Sequence, residues 1–123
     1  MSADDFMWLL GRVLLGGLFV VGGLRHFWIF GGVAQAIAAR GVPLPKLVLA
    51  LGTAFEIAAG LLLILGVLVP LAALGLVVFT LLASVMLVNF WGMEGAARDN
   101  AINVWQSNLA IIGGLLVAAA HGR

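Results

Sequence analysis

Few side chains here can do chemistry, and those that can fall at positions where neighbouring segments would bring them together. Glu56 stands inside FEIAAGLLLILG, while Arg12 and His26 sit in RVLLGGLFVVGGLRHF, and both stretches are otherwise nearly free of charge. A carboxyl and a guanidinium form a charge pair, and a carboxyl or an imidazole at a binding site exchanges protons with what is bound. A second polar set lies nearer the C-terminus: Asn89 and Trp91 in NFWGMEGAARDN, then Asn103, Trp105 and Asn108 in AINVWQSNLA. Amides hold polar head groups, and indoles offer one N–H and a ring face. Cysteine is absent, which removes a disulfide framework, a CxxC pair, a thiolate nucleophile and an iron–sulfur cluster held by this chain alone. No cluster has metal-ligand spacing, and His26 and His121 fall at opposite membrane faces, so they cannot share one haem.

The elements that position these residues follow from composition. Of 123 residues, 64% are apolar and 9% charged, with a mean hydropathy of +1.24, far from the balance of a soluble domain. The chain reads as an integral membrane protein. A net charge of +1 leaves no basic patch to grip nucleic acid. MSADDFMWLLGR places two acids ahead of the first apolar run, opposite to the cationic start of a secretory signal, so this run is expected to be a retained first span.

Four segments, about 6–28, 47–69, 71–91 and 101–120, have roughly the 20 residues that a bilayer crossing needs. Only Pro70 separates the second from the third, and a break there makes a tight hairpin. Unpaired backbone groups are too costly in hydrocarbon, so the spans must be helices, antiparallel where connections are short. The expected fold is an all-α membrane protein, an antiparallel four-transmembrane-helix bundle in a single domain. In the first connection, Val33, Ala36 and Ile37 of GGVAQAIAARG recur at helical spacing, which fits a short helix lying in the interface; an irregular loop is the alternative. Arg25, Arg40, Lys46 and Arg98 share one side against Arg123 and the buried Arg12 on the other. The positive-inside rule then puts both termini outside.

A charge at mid-bilayer costs about 2.5–3.5 kcal/mol on insertion scales, so Glu56 must be sheltered. Gly52, Thr53, Ala59 and Gly60 share its helix face, and small residues let a neighbouring helix come close. Counted from the span ends, Glu56 lies about 15 Å deep and Arg12 about 9 Å deep from the other side, leaving roughly 6 Å between them. A buried Arg12–Glu56 ion pair is therefore expected. The competing arrangement has Arg12 snorkelling outward and Glu56 hydrogen-bonded within the bundle.

Arg12, Gly16, Phe19, Gly23 and His26 form a stripe on the first span, and Asn100, Asn103, Ser107, Ala110 and Gly114 form another on the fourth. Residues 89–100 fit interface punctuation, with Trp91 in an aromatic belt, Gly92 and Gly95 breaking the helix and Asp99 or Asn100 capping the next. They also fit the rim of a pocket above Glu56, built by His26, Trp28, Asn89, Trp91, Asn103, Trp105 and Asn108 and open to the cytoplasmic leaflet.

The ordered combination of RVLLGGLFVVGGLRHF, GVPLP, FEIAAGLLLILG, NFWGMEGAARDN and WQSNLAIIGGLLV resembles the DoxX family of small four-helix membrane proteins over almost the whole chain. The resemblance implies a compact four-helix bundle in the bacterial inner membrane. It also implies quinone-linked oxidation of sulfur or thiol compounds, as in thiosulfate:quinone oxidoreductase, or an accessory role beside redox enzymes. In the first case quinone is the expected cofactor, with His26, Glu56 and Asn108 at its head group and Trp28, Trp91 and Trp105 beside its ring. In the second, Gly/Ala-rich faces dock to other membrane protein subunits or to a second copy as a homo-oligomer. Solute transport fits less well, because the chain lacks broken helices and is too short for two repeats.

Overall fold

The computed structural model describes residues 2–122; Arg123, used in the count of basic residues, lies outside them. The elements are α1 (Ala3–Trp28), α2 (Phe30–Ala39), α3 (Pro45–Leu65), α4 (Val69–Leu87), a 3₁₀ turn (Phe90–Gly92) and α5 (Gly95–His121). α1, α3, α4 and α5 are long and apolar enough to cross a membrane. The fold is thus the all-α, four-span bundle expected, and the first connection contains a short helix, α2.

Helix ends are set by local chemistry. Ser2 and Asp5 cap α1 reciprocally: the Asp5 N–H donates to the Ser2 hydroxyl and the Ser2 N–H to the Asp5 carboxylate, which occupies two donors that the helix itself leaves free. The hairpin between α3 and α4 turns at Gly66 (φ 75°) and Leu68 (φ 51°), not at Pro70. Gly66 ends α3 in the left-handed region, and Pro70 sits in the first turn of α4, where its missing N–H costs nothing. α5 starts at Gly95, so Asp99 and Asn100 lie inside the helix and do not cap it.

α1 packs chiefly on α3, and α4 on α5. The α1–α3 seam joins buried Gly16, Phe19 and Gly23 to buried Thr53, Glu56, Ala59 and Gly60. Here the backbones nearly touch: a Cβ on Gly60 would lie 2.7 Å from the Gly16 carbonyl oxygen. The α4–α5 seam carries a polar ladder in which Asn108 Nδ2 donates to Ser84 Oγ at 2.8 Å and Ser84 Oγ to the Thr80 carbonyl at 2.7 Å. Leu63, Leu76 and Leu115, from three helices, are fully buried at the centre. α1 and α5 meet at the terminal end, where the Trp8 and His121 rings lie 4.8 Å apart. The outer surface is largely exposed Leu, Val and Phe, which suits contact with acyl chains.

Candidate functional site

Glu56 is the ionisable residue the fold shelters most, at 3% exposure. The space for its carboxyl comes from Gly22: a Cβ there would lie 3.0 Å from Glu56 Oε1. Next to Gly22, Gly23 lets Ile57 pack directly against the α1 backbone. One turn further along α1, His26 Nδ1 reaches to 3.5 Å from Glu56 Oε2. The partner brought to Glu56 is therefore His26.

The expected Arg12–Glu56 pair is not formed. Helix register explains the difference. Gly16 meets Gly60 and Ile64, and Gly23 meets Thr53 and Ile57, so Arg12 comes level with the end of α3. Ile64 is eight residues beyond Glu56, about 12 Å along the axis. Counting depth from the edges of apolar runs assumed that the spans start level, whereas the glycine contacts slide α1 along α3. Arg12 instead donates from Nη1 to the carbonyls of Leu63 at 3.2 Å and Ile64 at 3.3 Å and lies 5.4 Å from the Trp8 ring centroid. It acts as a cap, since the last carbonyls of a helix lack internal partners and carry partial negative charge. Gly66 completes the arrangement, because any Cβ there would collide with the guanidinium.

Beside the His26–Glu56 pair is a cavity of about 170 Å³. α3 contributes Leu49, Gly52 and Thr53 to its wall, and α4 contributes Phe79, Ala83 and Met86. Val33 and Ile37 of α2 close the end away from the hairpin, and His26 of α1 closes the back. The lining is apolar except for His26 and Thr53. Both His26 Nδ1 and Thr53 Oγ1 are buried without a hydrogen-bond partner, although a buried polar group ordinarily has one.

Of the residues expected to form one pocket, the cavity takes in only His26. Trp28 is 91% exposed and points away from the bundle. Trp91 and Trp105 form an aromatic cluster with Phe90, their ring centroids 5.4 to 6.2 Å apart, and the Trp105 indole N–H donates to the Val88 carbonyl, capping α4 as Arg12 caps α3. Asn108 is held by Ser84, Asn103 is exposed and Asn89 is half-buried at the end of α4. These groups satisfy the α4–α5 seam or face outward, because α5 packs on a side of α4 that does not border the cavity. Thr53, Gly52 and the α4 wall are what the pocket expectation lacked. Gly52 and Ala83, small residues on facing helices, were the available signal; Phe79 and Met86 look like any residue of a membrane span.

Residues 7–89 match the family model described as DoxX. The chain belongs to the DoxX family. The matched region runs from α1 to the end of α4, so in this DoxX-family chain it contains the His26–Glu56 pair and every wall of the cavity, while α5 lies beyond it. "Inner membrane protein YphA" of Escherichia coli (strain K12) is 32% identical over 123 residues, covering 98% of this chain and 86% of the relative. No solved structure matches. With four spanning helices, the DoxX-family chain is an integral membrane protein.

Proposed function

We propose that this DoxX-family chain is the membrane subunit of a quinone-linked oxidoreductase acting on sulfur or thiol compounds, and that the α2–α3–α4 cavity receives the quinone ring. The observation that carries this reading is an apolar cavity lined by two polar side chains, His26, which lies against Glu56 at its back, and Thr53, whose buried Oγ1 has no hydrogen-bond partner. At about 170 Å³ it is close to the ~150 Å³ apolar cavity size that accepts benzene, so one six-membered ring fits. His26 and Thr53 would hold the ring's oxygens, and Glu56, behind His26, would exchange a proton with the imidazole. A bound quinone supplies the acceptor for an electron pair. Electrons come from the sulfur compound, two thiols losing two electrons and two protons to become a disulfide on a partner subunit, since this chain has no cysteine. The clustering of Arg25, Arg40, Lys46 and Arg98 at the α2 end supports an inner-membrane placement with that end in the cytoplasm and both termini outside.

The test is thiol- or thiosulfate-dependent quinone reduction in membranes carrying the unmodified complex. His26→Ala and Glu56→Gln are each expected to lower it by about a hundredfold, the usual scale of a lost proton-exchange group, with helicity and melting retained. Unchanged reduction in a chain altered at His26, Thr53 and Glu56 together would remove the enzyme reading.

A non-catalytic accessory role is the second reading, favoured by α5. It packs mainly on α4 and leaves Asn103, Gln106 and Ser107 exposed, and polar side chains near hydrocarbon act as contacts between helices. Capture of the tagged chain from native membranes with a larger complex, together with normal activity of the triple variant, would support it.

A further inference from the structure

The cavity has an open side. Leu82 of α4 and Val48 of α3 both line it, yet they are 58% and 37% exposed. These two side chains face the ring space and the outer surface at once. Toward the hairpin the gap closes, because Phe55 lies on Gly75 and its ring centroid is 6.4 Å from that of Phe79. Toward the other end α2 covers it with Val33 and Ile37. The polar atoms lie at the back, on α1 and on the α3 face that packs against α1. Head and tail of any occupant are thereby assigned: a hydrogen-bonding end inward at His26 and Thr53, and an apolar end outward past Leu82 and Val48.

We infer that the cleft between α3 and α4 is a lateral portal to the bilayer, and that the ligand is an amphiphile that enters from the lipid and leaves its hydrocarbon tail seated between Leu82 and Val48. This rests on the ring site proposed above and adds the tail, its route and the residues that select for it. A tail in the portal stays in contact with acyl chains and buries further apolar surface on the two lips. A water-soluble ring compound gains nothing there.

The experiment uses the full chain in lipid nanodiscs, with binding to empty nanodiscs subtracted. Two probes share one ring: 2,3-dimethoxy-5-methyl-1,4-benzoquinone without a side chain, and its decyl derivative. Leu82→Trp, at an exposed position where a larger side chain fits without disturbing the core, and Val48→Trp on the opposite lip fill the portal. Each is expected to weaken the decyl compound about tenfold more than it weakens the tailless ring, as loss of about two buried methylenes would. If wild type binds both probes and both variants leave the decyl compound unaffected, or weaken the two probes equally, the portal is wrong and the ring site stands. A wild-type chain that binds neither probe removes the ring site, and the portal with it.

Discussion

The two main seams of the bundle are held in opposite ways. Between α1 and α3 the contact is backbone on backbone, set by Gly16, Gly23 and Gly60, and the buried acid, Glu56, is enclosed there. Between α4 and α5 the contact runs through side chains: Asn108 on Ser84, Ser84 on Thr80, and the Trp105 indole on the Val88 carbonyl. Lipid tails are as apolar as leucine, so helix association in a membrane rests on close packing and interhelical hydrogen bonds in place of the hydrophobic effect. This chain uses each at a different seam. The glycine seam leaves little room for adjustment and so fixes the position of the His26–Glu56 pair; the ladder seam leaves much of α5 exposed.

The sharpest way to break that contrast is one substitution made twice. Gly60→Leu drives a side chain into the Gly16 carbonyl and should cost about 3 kcal/mol, the upper range for overpacking, and separate α1 from α3. Gly113 has nothing within 4 Å of an added Cβ, so Gly113→Leu should leave the bundle folded. Denaturant unfolding in bicelles, followed by circular dichroism, compares the two directly. Equal losses would mean that the Gly16–Gly60 contact does not hold α1 to α3.

Double-mutant cycles sharpen the assignment within the glycine seam. His26→Ala with Glu56→Gln should show a coupling of about 0.5–1 kcal/mol, as expected for residues in contact, whereas Arg12→Met with Glu56→Gln should add within about 0.5 kcal/mol. A strong Arg12–Glu56 coupling would contradict the register described above. On the ladder seam the expected effect is smallest. Asn108→Ala should cost about 0.6 kcal/mol, the mean measured for interhelical hydrogen bonds in membranes, and a loss several times larger would make that seam as unforgiving as the other.

Much of the architecture was legible in the sequence because the bilayer imposes it. Apolar length forces spanning helices, and the 3.6-residue repeat puts Gly16, Phe19 and Gly23 on one face and Thr53, Glu56, Ala59 and Gly60 on another, both now buried. Sequence spacing also required that Glu56 face other helices. It did not give the partner, because axial register between two helices depends on which glycines touch, and composition reports only where apolar runs begin. The expected polar pocket failed for a related reason. Trp105 and Asn108 do lie at one end of the bundle, but each is drawn to the nearest unsatisfied group, the Val88 carbonyl and the Ser84 hydroxyl.

By itself, the sequence determined that this is a four-span membrane protein with a protected acid, since hydrocarbon tolerates neither free backbone groups nor unsheltered charge. Only the tertiary structure decided that Glu56 meets His26 while Arg12 closes the end of α3, and that an apolar space opens to one side between α3 and α4. Those outcomes depend on relative sliding and rotation of whole helices, set by close backbone contact, and no run of residues within a single helix encodes them.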